Sequence, residues 1–134
     1  MKRFFVFLTV GLALFSLAAC SDANFDIYDG ARLVRYQVTG DAGTAIVEMN
    51  DEEERRISVG EVTLPYEEKF FTFVQPSTGG LYELYISATN PVTGGMLTVD
   101  IYHLKGPDEN WILVDRDSVN GGGLTATASG KIVE

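Results

Sequence analysis

The sequence predicts an all-β protein, an antiparallel β-sandwich behind an N-terminal export leader. Three observations carry this. From Ala31 onward, short runs alternate apolar and polar side chains, the period of a half-buried strand. Clusters of Gly, Pro, Asn and Asp separate those runs at regular spacing. No stretch after Cys20 keeps the i, i+3, i+4, i+7 apolar spacing long enough for a helix. The pattern implies about seven to nine strands, which suits a sandwich, with a small closed barrel as the alternative architecture.

The leader comes first in the chain. Lys2 and Arg3 precede an uncharged run from Phe4 to Ala19 in which Phe, Leu, Val and Ala dominate. A spanning helix needs roughly 20 apolar residues and an export signal about 7–15, so the run has the length of a signal. It ends in Leu17-Ala18-Ala19-Cys20, which resembles the bacterial lipobox. That resemblance implies cleavage before Cys20 and acylation of its thiol and of the new N-terminus, palmitate being the usual chain type. Cys20 is the only cysteine, consistent with a thiol reserved for one modification. Several chains give stable attachment, at about 0.8 kcal/mol per buried methylene. The expected division is residues 1–19 as signal peptide, 20–30 as acylated cysteine and spacer, and 31–134 as the sandwich domain. The protein is expected outside the cytoplasm, held to a membrane through Cys20. Ser21 in place of an Asp favours the outer membrane in a Gram-negative host.

Composition bounds the partners. Removing residues 1–19 takes Lys2 and Arg3 away and leaves eight basic against nineteen acidic side chains, a formal net charge of −11. Phosphate binding needs a basic footprint, so nucleic acid is excluded as a partner class. With Cys20 acylated no cysteine remains for a disulfide, and the fold depends on its core.

The elements follow in order. Ser21 to Gly30 is short, polar and acidic and reads as a spacer. Arg32–Thr39 alternates with Val34, Tyr36 and Val38 on one face. Gly40–Gly43 is a turn, Thr44–Met49 a strand, and Asn50–Glu54 a polar turn. Arg55–Val59 reads as a strand, Gly60 as a bend, and Glu61–Leu64 as a separate short strand stopped by Pro65, which has no N–H to donate. Glu67–Gln75 is a strand rich in Phe, and Pro76–Gly80 turns it around. Leu81–Thr89 puts Tyr82, Leu84, Ile86 and Ala88 on one face, and Asn90–Gly95 is a turn. Met96–His103 puts Leu97, Val99, Ile101 and His103 on one face. Lys105–Asn110 reads as a hairpin loop, Trp111–Asp115 as a strand, Ser118–Gly123 as a glycine-rich loop, and Leu124–Ser129 as the last strand.

Four motifs then appear in sequence: Val34-Arg35-Tyr36-Gln37-Val38-Thr39-Gly40, Ala45-Ile46-Val47-Glu48-Met49-Asn50, Val62-Thr63-Leu64-Pro65-Tyr66 and Ile86-Ser87-Ala88-Thr89-Asn90. In this order, over residues 33–130, they resemble the mycobacterial MmpS family. The resemblance implies an immunoglobulin-like sandwich outside the cytoplasmic membrane, beside a proton-driven exporter of lipids or siderophores. The chain departs from that family in its lipobox, in Tyr66 where the family prefers Trp, and in lacking the family's later cysteines.

No residue set declares a reaction, so no catalytic, cofactor or metal residue is assigned. His103 is the only histidine and shares a face with apolar residues, which suits a strand-end structural role. Asp51-Glu52-Glu53-Glu54 is the densest acidic run; it lacks the layout of a calcium loop and reads as a solvated turn, with a weak calcium site as the alternative. Asp115 and Asp117 share a strand face; they suit edge charges against aggregation better than paired glycosidase carboxylates. Gly121-Gly122-Gly123 lacks the Lys-Ser/Thr of a phosphate loop. Phe70, Phe71, Phe73, Tyr82, Tyr85, Tyr102 and Trp111 cluster in the central strands and read mostly as core and edge packing, with a shallow apolar patch for a partner or a lipid as the alternative. The expected function is that of a lipid-anchored envelope domain that assists a transport or assembly complex. The alternative is a module holding a small apolar envelope molecule between its sheets.

Overall fold

The computed structural model describes residues 31–73, 81–106 and 110–133. The leader, Cys20, the spacer, the Pro76–Gly80 turn and the middle of the Lys105–Asn110 loop lie outside the described residues. Eight strands are present: β1 (Ala31–Gly40), β2 (Thr44–Asn50), β3 (Arg56–Thr63), β4 (Tyr66–Phe73), β5 (Leu81–Thr89), β6 (Met96–Leu104), β7 (Ile112–Asn120) and β8 (Thr125–Val133). They form two four-stranded sheets, ordered β4-β1-β6-β7 and β3-β2-β5-β8. Every neighbouring pair is antiparallel. The second sheet has the order of the C′-C-F-G sheet of an immunoglobulin variable-type sandwich. In the first, β1 has β4 beside it as strand B has E, and β6 fills the place of strand A.

The alternation seen in the sequence decides what lies between the sheets. Val34, Tyr36 and Val38 of β1 meet Leu97, Val99 and Ile101 of β6 in one inner face. Ala45, Val47 and Met49, with Tyr82, Leu84, Ile86, Ala88, Ala126, Ala128 and Ile132, form the other. Each large side chain so buried contributes about 1.5–3 kcal/mol. Tyr36 packs edge-on against Phe70 at 5.3 Å between ring centres, and its hydroxyl accepts the Tyr85 N–H of the opposite sheet at 3.3 Å.

Three boundaries differ from the sequence reading. Gly60 does not end a strand: β3 runs through it, and the register against β2 slips between Val47 and Glu48, leaving Val59 as a bulged residue. Gly60 takes a φ of 89°, the left-handed region that suits glycine. β7 continues past Asp115 to Asn120, so Ser118–Asn120 are strand and not loop. β8 continues past Ser129 to Val133. A second bulge, between Ile101 and Tyr102 in the pairing of β6 with β7, turns Val114 inward onto the core. There it occupies the space above Gly130, where an added Cβ would collide with its Cγ1.

The sandwich has two distinct ends. At the entry end, where β1 begins at Ala31, lie the end of β4, the end of β6 and the start of β7. The turn at Asp41–Gly43 carries the chain into the other sheet at the far end, so β2 runs back and finishes at Asn50 at the entry end. The start of β3, the start of β5 and the end of β8 join it there.

Candidate interaction surfaces

The outer face of the β4-β1-β6-β7 sheet carries an aromatic and apolar field in its entry half. Phe71, Leu33 and Leu104 stand side by side across three strands. One row inward, the Arg35 guanidinium lies between two rings, 4.3 Å from the centre of Tyr102 and 4.4 Å from that of Trp111. Each such contact contributes about 0.5–2 kcal/mol. The stack fastens Trp111, at the head of β7, onto the central strands. The next row holds Asp100, which is buried outside the core and receives both Nε and Nη2 of Arg116. Tyr102 completes the group, accepting from Arg116 at 3.2 Å and donating to Asp100 at 3.4 Å. The Asp100 carboxylate raises the pKa of Arg116.

At the far end, the 90–95 and 121–124 turns are tied together through Asn90. Its side-chain amide donates to the carbonyls of Gly95 at 2.6 Å and Gly121 at 3.1 Å, its N–H donates to Leu124, and its own carbonyl accepts from Gly123. The Asp41 carboxylate accepts the Met96 N–H at 2.7 Å, and the Asp41 N–H donates to the Met96 carbonyl. The glycines are there for close approach: a Cβ on Gly94 would sit 2.8 Å from the Gly122 nitrogen, and one on Gly122 would collide with the Val92 carbonyl. The turns at 40–43, 64–65, 90–95 and 121–124 hold no Lys or Arg and a single acid, Asp41. Val92 projects from them 95% exposed, flanked by Met96 and Leu124 at about half exposure.

The residues singled out in the sequence fall into place as follows. Cys20 lies outside the described residues. His103 sits half-buried at the entry end of β6, between Val34 and Ile112 in the ladder, on the core-facing parity. Asp51 organises its turn: one carboxylate oxygen accepts the N–H groups of Glu53 and Arg55, both at 2.9 Å, and the other pairs with the Arg55 guanidinium at 2.8 Å. Desolvation pushes the Asp51 carboxyl up, but these bonds outweigh it and hold it below the usual range. Glu54 accepts the Glu83 N–H at 2.6 Å, and the Asn50 side chain donates to the Glu83 carbonyl. The acidic turn thus replaces the strand partner that β5 lacks beyond β2. Among the described residues, no group of three or more His, Cys, Asp or Glu converges as a metal site.

Asp115 and Asp117 do share a face, and it is the inward one. Asp117 accepts the Thr127 N–H at 2.8 Å and Asp115 the Ser129 N–H at 2.9 Å, both from β8 in the opposite sheet. Of the aromatics, Phe70 and Tyr82 face the core, whereas Phe71, Tyr102 and Trp111 lie on the outer face just described. Tyr85 is on the outside of the other sheet beneath Arg56, whose guanidinium carbon is 3.2 Å from the ring centre. The Phe73 side chain lies outside the description. Arg35 and Asn90 were not singled out in the sequence. Asn90-Pro91 before Gly94-Gly95 marks a tight turn, but nothing in it shows that Asn90 would bind the 121–124 loop to its own.

Core side chains from both sheets lie between them. A depression of about 260 Å³ lies instead on the outside of the β3-β2-β5-β8 sheet, lined by Asn50, Arg56, Glu83, Tyr85, Ser129 and Lys131 among others. No protein-family model matches the chain, and no curated protein matches it either.

Proposed function

We propose that this chain is a lipid-anchored binding domain of the bacterial cell envelope that assists a membrane transport or assembly complex. The far-end loop cluster carries the reading. It is uncharged apart from Asp41, pre-organised by Asn90 and tipped by Val92, and it lies opposite the strand end to which the leader is joined. In a mature chain of net charge −11, an uncharged, rigid, apolar tip suits contact with another protein. The Leu17-Ala18-Ala19-Cys20 sequence supports the anchor, and the ordered motifs from Val34 to Asn90 support an MmpS-like accessory role.

A photo-cross-linking amino acid in place of Val92, expressed in intact cells, tests this. The expected result is one transporter or assembly complex captured from position 92, lost in the Cys20→Ala control and absent when the cross-linker replaces Ile57. Capture of abundant envelope proteins alone, equally from both positions, would turn the search to small apolar ligands.

A further inference from the structure

Resting on the anchored reading above, we infer that the entry end of the sandwich seats directly on the bilayer that holds its own lipid. Phe71, Leu81, Ile112, Leu113 and Val133 are exposed at 51, 46, 48, 45 and 62%, and each lies within three residues of the entry end of its strand. They come from four strands and both sheets, Phe71 and Leu113 on the outer face of one and Leu81 and Val133 on that of the other, so they ring the entry end rather than line one edge.

The chain itself names the occupant. Ten residues separate Cys20 from Ala31. Their span of at most about 36 Å brings the entry end to the membrane and cannot bring the far end there without inverting the domain. The tether makes the contact intramolecular, so a modest apolar surface is enough to hold it. The side chains also match an interface. Tyr102 and Trp111 are the aromatic types enriched at headgroup depth. Lys105 lies at this end, where a long stem covers apolar surface while the charge reaches phosphates, whereas Arg55 and Lys131 pair with Asp51 and Glu83 and Arg56 lies over Tyr85. In the acidic turn beside them, Asp51 and Glu53 pair with Arg55, and Glu54 accepts the Glu83 N–H.

Trp111 is the only tryptophan and serves as the probe. The mature chain from Cys20 would be coupled through that thiol to a maleimide lipid in phosphatidylcholine vesicles whose acyl chains carry bromine. The expected result is roughly twofold quenching of Trp111 relative to unbrominated vesicles, with a blue shift, as for a ring at the membrane interface. A Trp111→Phe, Val92→Trp chain should be unquenched, and Phe71→Ser with Leu113→Ser should abolish the quenching of Trp111. Unquenched Trp111, or quenching at position 92, would overturn the proposal. So would capture of one protein from a cross-linker at position 113 together with unquenched Trp111, which would give this end to a protein partner. Because the lipid is attached chemically, these outcomes do not depend on whether cells acylate Cys20; labelling with a palmitate analogue tests that reading separately.

Discussion

Tyr36 shows how one polar atom ties the two sheets. Its ring is fully buried, and its hydroxyl takes the N–H of Tyr85 from the facing sheet. Burial pushes the phenol well above its ordinary value, and the Tyr85 N–H offsets only part of this. The protonated form is therefore the one the fold stabilises. Its contribution is complete below the unfolded value of about 10 and is lost as pH rises from there through the folded value. Tyr36→Phe should cost about 1–3 kcal/mol at pH 7, because the Tyr85 N–H is left without its acceptor. Urea denaturation at pH 7 and pH 11 should show the gap between the two proteins narrowing at the higher pH. A gap of equal size at both would remove the hydroxyl from the account. At this scale the sequence placed Tyr36 correctly, because period two fixes which face a residue takes. It did not reveal the Arg35 stack or the role of Asn90, since each depends on residues brought together from distant strands and loops.

The flank formed by β7 and β8 shows why element boundaries were harder to read than faces. An edge strand with two aspartates ends, by pattern, where the charges begin, and so β7 was expected to stop at Asp115. The strand continues because both carboxylates have N–H partners across the sandwich, on Thr127 and Ser129. These are outward amides of β8, which has a strand partner on one side only. The side chains stand in for a missing strand and protect an edge that would otherwise pair with another chain. Replacing both by Ala should cost about 1.5–3 kcal/mol for each charge-assisted bond. Hydrogen exchange at the Thr127 and Ser129 amides should speed up more than at Ala126 or Ala128. Asp→Asn at both sites keeps an acceptor oxygen and should lose less. Uniform exchange across β8 in the Ala variant would mean the strand is held by packing alone. The same logic explains β3: Gly60 looked like a break because a bulge and a bend share their preferred residue, and only the register against Val47 and Glu48 separates them.

Over the whole molecule, the fold class was legible because each half of the core follows from alternation within a strand. The strand order was not, since β1 pairs with β6 and β4 across long stretches of chain. Charge is the other global property, and here magnitudes decide the sign of the salt effect. The ion pairs Arg55–Asp51, Lys69–Glu67 and Lys131–Glu83 are exposed and worth about 0.2–1 kcal/mol each, so salt weakens the fold slightly through them. Against this stand nineteen acids and eight basic groups in residues 20–134, an excess of eleven acids. A ten-residue strand is about 33 Å long, comparable to the Debye length of roughly 30 Å at 0.01 M, so at low salt every excess carboxylate repels every other. At 0.1 M the length falls to about 10 Å, and only neighbours still interact. Folding brings the acids closer than they are in the open chain, so screening favours the folded state. The melting temperature in NaCl should therefore rise between 0.01 and 0.2 M. A net gain of about 1 kcal/mol corresponds to roughly 4–8 °C for a domain near this size. A melting temperature that fell over the same range would show that the local pairs, including the buried Asp100 with Arg116, outweigh the excess of acids.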